Sequence, residues 1–344
     1  MTSSADPSSV AQARERVADL WGALGRVAPE SVAGVLVDHV DPRAVWHVSA
    51  PFDDLDAPAV AEDWFAPMHD ALGLVACHLA IVAAAPGPGD VMTVSVTGHL
   101  RGVQRSRWLG IEAVGWPVSL RFGAIHRVLP DGRVGESWVL LDILDLAARA
   151  GVENLPGRYD RHPVPDPTRP EPSASTGEAS ASESERSLAL VEAMIDGLMQ
   201  YDGDDLRSMG MERFWSPDMR WYGPGGIGSS RSLRGFEDIH QRPFLAAFPD
   251  RVGGGKAHVA RLADGDIVAT GGWPSVRATF DAAPYLGVPP NGARIGMRVM
   301  DWWRREGDLL AENWVLIDMI DLLEQLGRPM IVDGELRPSG VRHG

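Results

Sequence analysis

A stretch reading "ENWVLIDMIDLLEQLG" (residues 312–327) ends a run of apolar residues in a carboxyl group, that of Asp318. Side chains alternate along an extended strand, so Glu312, Trp314, Leu316 and Asp318 share one face. If that face turns inward, Asp318 sits beside Trp314 in a largely apolar cavity. Burial disfavours its charged form and lifts its pKa toward the range useful for proton transfer. The chemistry would be removal of a proton next to a substrate carbonyl, or activation of water for epoxide or lactone hydrolysis. The same residue stands directly before "MIDLLEQ", and equally reads as a helix N-cap, with Asp321 three positions later completing a capping-box-like pair. His240 recurs with Phe236 and Phe244 at every fourth position, on one helix face. It is a proton carrier beside Asp318, an orienter of a carbonyl, or a hydrogen-bonded core histidine. Trp221, Tyr222, Trp273 and Trp314 offer flat walls for a planar ligand, or core packing. Arg298 would hold an anionic or carbonyl oxygen, or face solvent.

These candidates belong to the second of two copies. "ESWVLLDILDLAARAG" (136–151) repeats the closing sentence, with Trp138 and Trp314, Asp142 and Asp318, and Asp145 and Asp321 each 176 positions apart. Asp90 and Asp266 keep that offset, Trp46 and Trp221 lie 175 apart, and His78 and His258 correspond across a longer hairpin. Ordered correspondences of this kind mark an internal duplication. The expected organisation is a first domain over 1–155, a flexible linker over 156–186 rich in Pro, Ser, Ala and Glu, and a second domain over 187–335. Each copy reads as a helix (Ala11–Leu24; Leu188–Tyr201), a short strand around Trp46 or Trp221, an amphipathic helix (Phe236–Phe248), four strand-like runs, and a short helix stopped by Gly327. The fold class expected is α+β, with each sheet curved around a long helix to enclose a conical pocket. In the first copy, His47, His99 and Asp142 are the pocket candidates, and the matched His78 and His258 read as structural.

The segments "WYGPGGIGSS", "FPDR", "TGGWP", "LGVPPNGAR" and "ENWVLIDMIDLLEQLG" resemble the SnoaL-like polyketide cyclases and predicted ester cyclases, of the nuclear transport factor 2-like superfamily. The resemblance covers nearly all of the second copy and the general plan of the first. It implies a cone-shaped antiparallel domain with a buried pocket, no metal and no organic cofactor. It also implies an Asp acting as general acid/base in an intramolecular aldol ring closure, at the positions of Asp318 and Asp142. The first copy departs from the pattern, with "GIEAVGWPVSLR" in place of "GVPPNGARIGMR" and no "YGPGG". The function expected is that of a cyclase, isomerase or lyase on a small molecule. The same superfamily holds non-catalytic binding and scaffold domains, which is the other reading. Such domains pair through their sheets, so the two copies are expected to form a pseudo-dimer within the chain.

Other classes are disfavoured. A formal net charge of −15 does not suit a nucleic-acid or anionic-membrane partner. Cys77 stands alone, so neither a disulfide within the chain nor a multi-cysteine metal site can form. No His-Glu-x-x-His spacing occurs, "GPGGIG" does not open a βαβ unit, and "RVGGGKAH" has no Ser or Thr after its lysine. A nucleophile elbow is absent. The N-terminus lacks a charged-then-apolar leader, so a cytoplasmic location is expected.

Overall fold

A computed structural model describes residues 7–160, 181–253 and 258–338. The first domain opens with α1 (Pro7–Leu24) and α2 (Val32–His39), then β1 (Val40–Val48), β2 (Asp53–Asp56), α3 (Ala57–Ala59), a π turn (Val60–Phe65) and α4 (Ala66–Leu72). Four long strands follow, β3 (Leu74–Pro86), β4 (Met92–Val103), β5 (Pro117–Val128) and β6 (Val134–Leu141), then α5 (Ile143–Arg149). The second domain repeats this order with α6 (Ala181–Leu198), β7 (Trp215–Tyr222), β8 (Ser229–Arg231), α7 (Ser232–Phe236), a π turn (Glu237–Gln241) and α8 (Arg242–Ala247). It closes with β9 (Val252–Gly253), β10 (His258–Asp264), β11 (Ile267–Phe280), β12 (Ala293–Glu306), β13 (Leu309–Ile317) and α9 (Met319–Gln325). The amphipathic helix expected at Phe236–Phe248 is thus broken by a π turn, followed by Pro243 in the first turn of α8.

The sheet orders are β2-β1-β6-β5-β4-β3 and β10-β11-β12-β13-β7-β8. Neighbours are antiparallel except β1 with β6 and β7 with β13, which run parallel, so each sheet is mixed. Each sheet wraps around its first helix because that helix has one apolar stripe. In α1 this is Ala13, Val17, Leu20, Trp21 and Leu24, all buried, at helical spacing. The linker expected over 156–186 is shorter at both ends. Arg158 pairs with Gly226 through the main chain, Asp160 accepts from the Ser229 amide, and α6 has begun by Ala181. The part over 161–180 lies outside the described residues. No helix among the described residues is long and apolar enough to cross a membrane.

The outer faces of the two sheets pack on each other. Ile81, Ile125, Trp138 and Leu140 of the first domain form one buried cluster with Tyr222, Leu262, Met300, Trp302, Trp314 and Leu316 of the second. The approach is close enough that a Cβ on Gly123 would lie 2.2 Å from the Trp302 ring. Trp302 also donates its indole N–H to Ser95 Oγ at 2.9 Å across the interface. Arg121, fully buried, donates to the carbonyls of Gly223 (2.9 Å), Tyr222 (3.1 Å) and Val315 (3.0 Å). The contacts are reciprocal. Asp142 accepts from the Gly225 amide at 3.0 Å, and Asp318, 176 positions later, accepts from the Ala50 amide at 3.0 Å. Residue i meeting j while the copy of j meets the copy of i is the signature of a two-fold interface, here formed within one chain.

Candidate functional site

The alternation read along β13 is correct, but the face is reversed. Trp314 and Leu316 point to the other domain, and Asn313, Val315 and Ile317 point into the cone. Asp318 therefore lies outside the cavity. It caps α9 by accepting from the Asp321 amide at 3.2 Å, and it also accepts from Ala50 N and from Arg298 Nη1 (3.2 Å). Burial raises its pKa to about 7, yet its oxygens are taken up by the seam between domains. Asp142 does the same for α5, with burial again raising its pKa. Of the two roles expected for these residues, acid/base group and helix cap, the geometry is that of caps that also clasp the domains together.

Most of the other candidates sit at the same seam. Tyr222 stacks on Trp314 with centroids 5.3 Å apart and reaches Glu312 at 3.3 Å. Arg298 bridges Asp318 and Asp53 (2.9 Å) and lies over the Trp273 ring. His47 stacks on Trp138 at 5.3 Å and contacts Asp54 at 2.6 Å. His99 is buried on β4 of the first domain, in register with His78 and Arg121. None of these lines the cavity described next. Trp221 and His240 do, with the imidazole stacked on the indole at 4.7 Å.

The cavity, about 190 Å³, lies inside the second domain. Its walls come from α6 (Met194, Ile195, Leu198), β7 (Trp215, Trp221), the segment Phe236–Leu245, and the inner faces of β11 to β13. Asp301 is the one carboxyl group in this lining, flanked on its strand by Met297, Val299 and Trp303 at alternate positions. It is deep in the domain yet retains some accessible surface, as expected of a group facing an internal space. Burial pushes its pKa up to about 7, opposed only by a long contact from Asn313 Nδ2 at 3.4 Å. His240 and His258 line the same space, and burial holds each down to about 4, so both are neutral at pH 7. His258 is fixed by Ser275 Oγ at 2.8 Å. Gln241 Nε2 and Oε1, His240 Nδ1, His258 Nδ1 and Trp215 Nε1 have no hydrogen-bond partner among the described residues. Buried polar groups left this way cost roughly 1–3 kcal/mol each, and in the first domain Trp46 Nε1, Trp64 Nε1 and His69 Nε2 are left the same way.

The first domain supplies a built-in comparison. Strand register equates Ala124 with Asp301, since each pairs with the matching valine, Val139 or Val315. The prolines that follow the π turns, Pro67 and Pro243, equate Trp64 with His240 and Phe65 with Gln241. The first helices, both 18 residues long, equate Trp21 with Ile195. So the first cone is filled by fully buried Trp21, Trp46, Trp64 and Phe65, with the Trp21 indole donating to His126 at 2.9 Å. At the matching positions the second cone has Ile195, His240 and Gln241 in place of three of those rings, Asp301 in place of Ala124, and Trp303 in place of His126. Replacing Ile195 with Trp is expected to refill it. Ligand binding should be lost while the melting temperature holds or rises, as calorimetry on the folded variant would show.

Asp301, Gln241, Asn313 and His258 were not among the site residues read from sequence. One signal for Asp301 is available: a single acid in the alternating run Met297, Val299, Asp301, Trp303 that begins β12's inner face.

A curved mixed sheet around a helix, enclosing an aromatic cavity with polar tips, makes the second domain an α+β cone with an internal cavity. Residues 191–313 match the family model described as a SnoaL-like domain. No functionally curated protein matches the chain in sequence. IdmH of Streptomyces antibioticus, a candidate polyketide cyclase, is similar in structure at 23% identity, covering 41% of this chain and 98% of its own, with a TM-score of 0.33. AclR of Streptomyces galilaeus, a candidate hydroxylase, is similar at 26% identity over 42% of this chain and 96% of its own, TM-score 0.32. An epoxide hydrolase from M. tuberculosis is similar at 16% identity over 42% and 91%, TM-score 0.30. The α+β class and the two-domain plan read from the sequence are the observed ones, with each sheet mixed where an antiparallel one was expected.

Proposed function

We propose that the second domain is a cofactor-free acid/base enzyme of the cyclase, isomerase or lyase kind, with Asp301 as the proton-transferring group and the first domain as a non-reacting partner. The observation that carries this is Asp301 alone among aromatic walls, where the filled first domain has Ala124. A planar carbonyl compound would lie against Trp221 and Trp303. The Asp301 carboxylate takes a proton from the carbon next to the carbonyl, and the oxygen that gains charge accepts a hydrogen bond from neutral His240 or from Gln241 Nε2. If a second carbonyl lies within reach, the enolate carbon attacks it, and Asp301 returns its proton to the new alkoxide. Without one, the proton returns to a different carbon. Asp301's pKa near 7 keeps both of its forms populated at neutral pH. The same carboxylate, with the Asn313 amide beside it, meets the needs of water activation toward an epoxide. In that case 18O from solvent water enters the product.

The test is deuterium exchange into 1-tetralone, followed by NMR in D2O. The wild type is expected to exchange the α-hydrogens faster than buffer, with the rate rising as pH passes through about 7. D301N should fall to background and D318N should keep its rate. Exchange that survives D301N, or none for any aryl ketone that binds, would remove Asp301 from this role and leave a binding domain.

A further inference from the structure

The cavity has a charged group that acid/base chemistry at Asp301 does not use. Arg251 lines it where exposed Val252 and Met199 mark the rim. Several other buried arginines among the described residues meet carboxylates or a set of carbonyls: Arg14 with Asp264, Arg298 with Asp318, Arg304 with Glu312, Arg305 with Glu183, and Arg121 with three carbonyls. Arg251 does neither. It donates from Nη2 to the Leu198 carbonyl at 3.2 Å and lies over the Tyr201 ring at 5.5 Å. Its neighbour Asp250 is turned away and accepts from the Thr279 amide. A guanidinium has five donors, so most of this fork remains available at the cavity rim.

Strand pairing places this charge relative to Asp301. Val252 and Gly253 pair with β11 at Arg277 and Val276, and Val276 pairs with Met297, four residues from Asp301 on β12. Four residues of strand span about 13 Å, and two interstrand steps of about 5 Å separate β9 from β12. The cavity thus has a neutral-to-acidic reacting end at Asp301 and a cationic rim removed from it both along and across the strands, with aromatic walls between. We propose that Arg251 is the receptor for a carboxylate on the ligand, so that the substrate is a planar carbonyl compound with an acid at the end away from its reacting carbon. One guanidinium matches one monoanion in a bidentate pair, and no second cation lines the rim among the described residues to meet a phosphate dianion. This rests on the second-domain cavity being the ligand site, and it specifies the substrate class.

Calorimetric titration of the full chain with 2-naphthoate, 2-naphthamide and 2-naphthyl phosphate tests it. The wild type should bind the carboxylate at least about tenfold more tightly than the isosteric amide. Arg251→Gln should erase that preference and leave the amide's affinity unchanged, and Arg251→Lys, melting as the wild type does, should restore part of it. Equal binding of acid and amide by the wild type, equal loss of both in Arg251→Gln, or binding of neither would overturn the proposal. A tenfold advantage for the naphthyl phosphate would overturn the assignment of a carboxylate. Asp301→Asn should keep or strengthen the acid preference. If it does while wild-type exchange on 1-tetralone is absent, the acid/base reading fails and the Arg251 assignment stands.

Discussion

Asp301→Asn is expected to abolish turnover and to make the protein more stable at pH 8. The activity loss follows from removing the proton carrier, a contribution of about 10²–10⁴ in rate where one side chain does this work. The stability gain follows from the direction of the pKa shift. An aspartate carboxyl in water ordinarily titrates at 3.8, and burial raises this one to about 7 in the folded chain. Between those values the folded state holds a proton that the unfolded state has released, so wild-type stability falls as pH rises through this window. Above pH 7 the folded chain carries a poorly solvated charge that costs on the order of 2–4 kcal/mol. Asn has nearly the same shape and no such charge. Melting curves of wild type and variant should therefore diverge between about pH 4 and pH 7 and stay apart above it. Asp318 also has a raised pKa, but its substitution should behave differently. Asp318→Ala leaves the Ala50 amide, the α9 N-terminus and Arg298 without their acceptor, and should lose about 2–4 kcal/mol with the cavity chemistry intact. A D301N variant that is both inactive and destabilised would mean that the carboxylate supports the fold, not a reaction.

The contrast between these two aspartates shows where sequence reading succeeds and where it stops. The duplication, the order of elements and the capping role of Asp318 are local properties, and local patterns carry them. The period-2 alternation of β13 is equally plain, and it places Trp314, Leu316 and Asp318 on one face as expected. Which face turns inward depends on what covers the other. In a lone domain the outer face would be polar and the inner face would announce itself. Here both faces are apolar, because the sheet lies between its own helix and the sheet of the other copy. The aromatic face around Trp314 was the more conspicuous of the two, and it belongs to the seam. Asp301 was concealed for a second reason. The closing hairpins differ by one residue, so a fixed offset of 176 aligns Asp301 with Ile125, whereas the strand pairing aligns it with Ala124. Only the pairing shows that one cone has a carboxyl where the other has a methyl group. Trp64 and Phe65 against His240 and Gln241 were legible in principle, since Pro67 and Pro243 anchor them. Their meaning still depended on seeing both rings fill the first cone.

The second domain expressed alone, over residues 181–338, is expected to self-associate. Separation from the first domain would uncover Tyr222, Leu262, Ile267, Met300, Trp302, Trp314 and Leu316, all buried in the intact chain on one continuous face. At roughly 1.5–3 kcal/mol for each large apolar side chain fully removed from water, that face is too apolar to remain exposed at micromolar concentration. The carbonyls of Gly223, Tyr222 and Val315 would lose Arg121, and Asp318 would lose the Ala50 amide. The pseudo-two-fold makes a second copy the nearest substitute. Arg298 occupies the position of Arg121 and could reach the same carbonyls of its twin, while Gly225 occupies the position of Ala50. Light scattering should therefore report a dimer, or aggregate where Trp302 meets its twin's Met300 in place of Gly123 and collides. Adding the separately expressed first domain should convert either form to a one-to-one complex. A stable, monodisperse monomer with intact near-ultraviolet circular dichroism would show that the inter-sheet packing contributes little. The first domain would then need a reason to be present other than covering its neighbour's outer face.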